Sequence, residues 1–172
     1  LTKGQRQLYL AELRRSRSLV EALAAAPGGV ARNKITVLAA LTRLRQICCH
    51  ATLAGGDPGL GSGKFEALIE ILEPLLAEGH KVLVFSQFVS LLKLLQPALD
   101  LHGIRHHFLS GQTVRREEVV DVFQSDAEPC VFLVSLKAGG TGLNLTAASY
   151  VVLFDPWWNP AVEAQAIDRS HR

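Results

Sequence analysis

The sequence predicts an α/β fold: a parallel β-sheet with helices on both faces, preceded by a helical appendage. Three observations carry this expectation. Short apolar runs at 82–85, 131–134 and 150–154 alternate with segments of helical period, the pattern of strands joined by crossover helices. The run at 82–85 is continuously apolar rather than alternating, as expected of a strand buried on both faces. The first fifty residues carry helical patterns alone, and a glycine-dense stretch at 54–63 separates them from the rest.

The elements follow in order. Residues 3–25 read as a helix with Tyr9, Leu13, Val20 and Leu23 on one face, ended by Pro27-Gly28-Gly29. Residues 33–49 form a second helix, with Ile35, Leu38, Leu41, Leu44 and Cys48 near the 3.6 period. Residues 54–63 are a polar linker, dividing an appendage (1–53) from the main domain (64–172). A helix begins near Ser62, marked by Phe65, Leu68, Leu72 and Leu75. A strand at 82–85, a helix at 89–102 and a short strand at 106–110 come next. Thr113 is placed to cap a helix running to Phe123. Strands at 131–134 and 150–154 follow, and a last helix starts near Pro160. The sequence stops inside that helix and contains no Met, so a piece of a longer protein is expected. No internal repeat is visible.

Composition narrows the function classes. Of 172 residues, 48% are hydrophobic, enough for a sizeable core and too many for wholesale disorder. No apolar run approaches ~18 residues, so no membrane span is expected, and no basic-then-apolar leader opens the sequence. Cys48, Cys49 and Cys130 are odd in number and two are adjacent, a poor disulfide framework. Cys48-Cys49-His50 fits no common zinc spacing. Reduced thiols, a reducing compartment and no metal site are expected. Residues 1–50 hold nine Lys/Arg against two Asp/Glu, whereas residues 51–172 hold nine against fourteen. Such a basic flank is either a solvated helix face or a surface near a polyanion.

Four segments carry candidate chemistry. Gly59 to Lys64 looks like a phosphate loop but fails the G-x-x-x-x-G-K-[ST] spacing. Its first glycine falls on Pro58, Phe65 replaces the hydroxyl, and no apolar strand precedes it. No Asp-Glu pair follows a strand to hold magnesium. The parts that grip a nucleotide's phosphates are therefore missing. Ser135 to Asn144 follows a strand directly, so it lies at the carboxyl edge of the sheet, where ligands bind in open α/β folds. Gly139, Gly140 and Gly142 permit close backbone approach, and exposed amides with Lys137, Ser135 and Thr141 can meet an anion; an ordinary tight turn reads the same way. Asp155-Pro-Trp-Trp-Asn-Pro160 sets both tryptophans at a strand end between prolines, as plugs or for stacking against nucleic acid. Gln165, Arg169 and Arg172 share one helical face at i, i+4, i+7. Two guanidinium forks and an amide there suit bidentate phosphate contact, though paired surface arginines are common.

Together these segments resemble the second RecA-like lobe of the Swi/Snf-type double-stranded-DNA translocases, within helicase superfamily two. The resemblance covers nearly the whole sequence. It runs through Gln5, Leu8 and Tyr9; Leu44-Arg45-Gln46-Ile47-Cys48-Cys49-His50; Ser62-Gly63-Lys64; and Val82-Leu-Val-Phe-Ser-Gln87. It continues through Gly111, Thr113, Arg116 and Phe123, then Ser135 to Asn144, Asp155 to Pro160 and Gln165 to Arg172. Each motif alone is weak; the ordered set is specific. The Trp157-Trp158 variant resembles bacterial members. The family pattern continues past its last arginine with Ile-Gly-Gln, which this sequence lacks.

The resemblance implies an ATP-dependent motor lobe. Arg169 and Arg172 would be arginine fingers reaching across a cleft to ATP with Mg2+, held mainly by an N-terminal RecA-like lobe of the same parent chain. Gly140 and Gln165 would line that cleft. Ser86, Gln87, Ser135, Lys137 and Gly139 would meet the backbone of double-stranded DNA, and Trp158 would lie in or beside a groove. The lobe alone would be inactive, and any remodelled protein target is unknown. Localisation would be cytoplasmic and nucleoid-associated in a bacterium, nuclear in a eukaryote. Two other classes compete: a non-catalytic DNA- or anion-binding module working through Lys137 and the basic N-terminal helices, and a small phosphometabolite binder, which lacks an evident acid, base or nucleophile.

Overall fold

The computed structural model describes residues 1–139, 143, 145–155 and 164, Gly139 by its backbone only. The chain divides into two compact units, Leu1–Glu66 and Ala67–Arg172.

The first unit is helical: α1 (Lys3–Ala25), α2 (Gly29–Arg32) and α3 (Lys34–Cys49). Helix α1 starts at a capping box, in which the Thr2 hydroxyl accepts from Gln5 N–H and the Gln5 side chain accepts from Thr2 N–H. Gly28, at φ 90°, turns the chain from α1 into α2, a conformation that carries no Cβ penalty only for glycine. Gln5 is fully buried and bonds twice more: Nε2 donates to Ile47 O at 3.1 Å, and Oε1 accepts from Gly63 N–H at 3.1 Å. This one amide therefore joins the start of α1, the end of α3 and the start of α4 (Gly63–Ala77).

The helical faces differ from the sequence expectation. Leu13, Ile35, Leu38 and Leu41 are exposed, whereas α1 buries Gln5 and Ser16 and α3 buries Leu44, Ile47 and Cys49. Helix α3 is apolar around much of its circumference, so its pattern leaves the inward face ambiguous; packing selects the stripe of Leu44 and Ile47 instead. The glycine-dense stretch is folded rather than a loose tether. It follows a 3-10 turn at Ala51–Ala54 and holds another at Pro58–Leu60, and Ser62 Oγ donates to Cys49 O at 2.6 Å. Gly59–Lys64 is such a turn leading into α4, with no strand before it.

The second unit carries a parallel sheet: β1 (Val82–Ser86), β2 (His106–Leu109), β3 (Val131–Ser135) and β4 (Tyr150–Leu153), in the order β2-β3-β1-β4. The two central strands are buried at every position, and the flanking strands only partly. That difference explains why 82–85 and 131–134 are uniformly apolar. Helix α5 (Val89–Leu101) connects β1 to β2, α6 (Arg116–Ser125) connects β2 to β3, and the short α7 (Leu136–Gly139) follows β3.

Right-handed crossovers dictate the layers. The step from β1 to β2 runs one way across the sheet, and the steps to β3 and then β4 run the other way. The connecting helices must therefore lie on opposite faces. Leu83, Phe85, Phe132 and Val134 pack with Val120 and Phe123 of α6 and with Leu136 and Ala138 of α7. Val82, Val84, Val131 and Leu133, of the opposite parity, face α5, whose Leu91, Leu92, Leu95 and Leu99 are fully buried. The predicted parallel sheet with helices on both faces is present, in the RecA-like arrangement.

Helix α6 departs from its predicted start. Thr113 does not cap it; its Oγ1 accepts from Ser110 N–H at 3.0 Å, and α6 begins at Arg116. The hydroxyl closes the turn after β2, a local bond that competes with capping. At the other end of α6, Lys81 Nζ donates to Phe123 O at 2.6 Å. An ammonium there satisfies a last-turn carbonyl and sits at the negative end of the helix dipole. Burial pushes both the half-buried Cys48 thiol and the fully buried Cys130 thiol up.

Candidate functional site

The carboxyl edge of the sheet brings together the described residues singled out from sequence. Ser86 ends β1 and Ser135 ends β3, and the two are register partners on adjacent strands. Both are buried and bond locally. Ser86 Oγ accepts from Phe88 N–H at 3.0 Å, and Ser135 Oγ accepts from Ala138 N–H at 3.4 Å. Each hydroxyl turns the chain sharply as it leaves its strand.

Those turns decide what faces outward. After β3, Leu136 and Ala138 are buried and Lys137 is exposed, so α7 presents an ammonium while its apolar neighbours lock it to the sheet. Residues 136–139 form a helical turn, and Gly140, Thr141, Gly142 and Asn144 of the glycine-rich segment lie outside the described residues. Gly139 is the last residue of that turn.

After β1, Gln87 is half-buried, and its backbone N–H donates to Asp155 Oδ2 at 3.2 Å. Among the described residues its Nε2 is buried and has no hydrogen-bond partner. Such a donor is costly to leave unmet, about 1–3 kcal/mol. Asp155, buried just past β4, thus ties the loop after β1 to the end of the neighbouring strand, alongside the Phe154 N–H bond to Phe85 O at 2.9 Å.

The loop after β2 closes the same edge. Arg116 Nη2 donates to Gly111 O at 2.7 Å and its Nε to Thr113 O at 3.3 Å. Sequence reading quoted Asp155 and Arg116 only as parts of motifs and gave neither a role. The signal for Asp155 is a lone carboxylate at the end of an apolar run, which in a buried setting must bond to backbone amides. Arg169, Arg172, Gly140, Gln165 and Trp158 lie outside the described residues.

The donors described at this edge are the exposed Lys137 ammonium and the buried Gln87 amide nitrogen. This set suits anion oxygens. The one carboxylate described there, Asp155, is buried and already accepts an N–H. The residues present therefore fit phosphate oxygens better than a magnesium ion.

Residues 63–172 match the model of the helicase conserved C-terminal domain. The chain belongs to that family. Its similarity extends to the putative ATP-dependent helicase/translocase YwqA of Bacillus subtilis, 39% identical over 149 residues, covering 82% of this chain and 16% of that protein. Among solved structures, the Sulfolobus solfataricus SWI2/SNF2 ATPase C-terminal domain superposes with a TM-score of 0.80 at 33% identity, over 95% of this chain and 72% of that one. The Sulfolobus solfataricus SWI2/SNF2 ATPase core in complex with double-stranded DNA gives 0.82 at 32% identity, over 100% of this chain and 36% of that one. This helicase C-terminal domain is thus of the Swi/Snf type, with relatives that are ATP-dependent helicases. It spans 9–16% of the length of curated relatives it matches.

Proposed function

We propose that this helicase C-terminal domain is the second motor lobe of an ATP-dependent double-stranded-DNA translocase, inactive without the N-terminal lobe of its parent chain. The observation that carries the reading is the carboxyl edge itself. Lys137 and the Gln87 amide both follow strands that end at this edge, in a fold that superposes along its whole length on a DNA-bound ATPase core.

Arg169 and Arg172 are the arginine fingers in this reading, with Gly140 and Gln165 lining the cleft beside them. Bound ATP with Mg2+ supplies the phosphoryl group to be hydrolysed. The two guanidiniums would stabilise negative charge that grows as that group leaves, an effect of ~10³–10⁵ in rate. That is roughly 4–7 kcal/mol, well above an exposed ion pair. Lys137, Gly139 and the amides shaped by Ser86, Gln87 and Ser135 hold DNA phosphates, and Trp158 lies against the groove. Contacts to backbone rather than bases make movement largely independent of sequence.

The test is Arg169→Ala in the parent protein, read by DNA-stimulated phosphate release and, separately, by ATP binding. We expect turnover to fall ~10³-fold or more with binding retained. Unchanged turnover would remove the finger assignment. Unchanged turnover with salt-dependent duplex binding intact would favour a non-catalytic DNA-binding module instead.

A further inference from the structure

At the opposite, amino edge of the sheet, three residues from three elements converge. His107 lies on β2 in register with Phe132 of β3. Cys130 precedes Phe132 by two, so it has the same parity and points to the same face. That face is the one α6 covers, and Asp126 is the residue that ends α6. The imidazole nitrogens, the thiol sulfur and the carboxylate oxygens offer one ligand atom each within 4.8 Å of one another.

We propose that His107, Asp126 and Cys130 form a binding site for a borderline-soft divalent cation of the zinc class, with water completing its shell. The donor set of imidazole nitrogen, thiolate sulfur and carboxylate oxygen is that of zinc rather than of magnesium or calcium, which take oxygen alone. Metal–ligand bonds of ~2.0–2.3 Å place tetrahedral ligands roughly 3.3–3.8 Å apart. His107 Nε2 stands 3.4 Å from Asp126 Oδ2, long for a good hydrogen bond and matched to that spacing.

Each ligand is also held from outside. Asp126 Oδ1 accepts from Glu128 N–H at 3.1 Å, which turns Oδ2 toward His107. The imidazole is wedged edge-on between the rings of Phe123 and Phe132, with centroids at 6.1 and 6.2 Å. Cys130 is fixed by the backbone bond from Val82 N–H to its carbonyl at 3.1 Å. Such outer contacts are what orient metal ligands. Arg105 also reaches Asp126 Oδ2, at 2.9 Å, but its side chain is 55% exposed and free to swing toward water. On binding, the Cys130 S–H bond breaks, a sulfur–metal bond forms, and the proton leaves to solvent. With two anionic ligands the dication is neutralised. The site clips the loop between α6 and β3 to β2, and it lies away from the carboxyl edge, so it stands or falls apart from the motor reading.

The experiment is titration of the metal-stripped full-length protein with Co2+ under reducing conditions, followed by Zn2+. We expect a thiolate-to-cobalt charge-transfer band from one bound ion, bleached by Zn2+. Cys130→Ser should abolish that band, and His107→Ala should weaken Co2+ affinity ~100-fold or more, since even changes outside the ligand shell cost ~10–100-fold. Far-ultraviolet circular dichroism establishes that each variant is folded. Absence of the band in folded wild-type protein overturns the proposal, as does a band that survives Cys130→Ser or an affinity unmoved by His107→Ala.

Discussion

Lys137 shows how much one side chain owes to its neighbours. It is the exposed position in a turn whose flanking residues, Leu136 and Ala138, are buried. An ammonium held outward by apolar anchors acts as a point charge with little freedom to fold back. In the parent protein, Lys137→Ala should weaken duplex binding about equally on every sequence. It should also lower the slope of log affinity against log salt by ~1, the signature of one lost phosphate contact. A fluorescence-anisotropy salt series measures both, and an unchanged slope would take Lys137 off the DNA. Gln87 differs: its backbone is tied to Asp155, while its buried amide nitrogen has no hydrogen-bond partner among the described residues.

The elements are joined by a few buried polar bonds rather than by apolar contact alone. Gln5 is the clearest case. Its amide completes the capping box of α1 and also bonds Ile47 O and Gly63 N–H. Gln5→Leu keeps the volume and removes all of these bonds, leaving the Ile47 carbonyl and Gly63 N–H without that partner. Chemical denaturation should show a loss of ~1–3 kcal/mol, the cost of an unmet buried group. A loss within the scatter of a surface substitution would mean that the helical unit does not depend on this amide. Lys81 plays a similar part in the other unit, where its ammonium holds the last turn of α6.

For the molecule as a whole, the proposed motor function divides the catalytic chemistry between two bodies. No strand with a phosphate loop precedes α4 among the described residues, and Gly59–Lys64 is a turn and a helix start. The isolated chain should therefore release no phosphate from ATP above background, with or without duplex DNA. Turnover by the isolated chain in a phosphate-release assay would sink the two-lobe reading. The amino edge, with His107, Asp126 and Cys130, is spatially separate from this chemistry, because the strands of a parallel sheet send their two ends to opposite sides.

The sequence alone determined the α/β class, the family, and the four strands and most helices of the described residues; the helix expected from Pro160 lies outside them. The continuous apolar runs at 82–85 and 131–134 mark strands buried on both faces, and ordered motifs at strand ends mark a candidate ligand-binding edge; both signals are local. The strand-end places of Ser86 and Ser135 were legible for the same reason, since each directly follows an apolar run, and Lys137 lies two residues beyond Ser135. Only the tertiary structure decided the strand order β2-β3-β1-β4, the inward face of α3, the turn-closing role of Thr113 and the meeting of His107 with Asp126 and Cys130. These depend on which distant segments pair and in what register. Periodicity along a chain reports that a residue is buried or bonded, but the identity of its partner is set by loop closure and packing between strands and helices far apart in sequence.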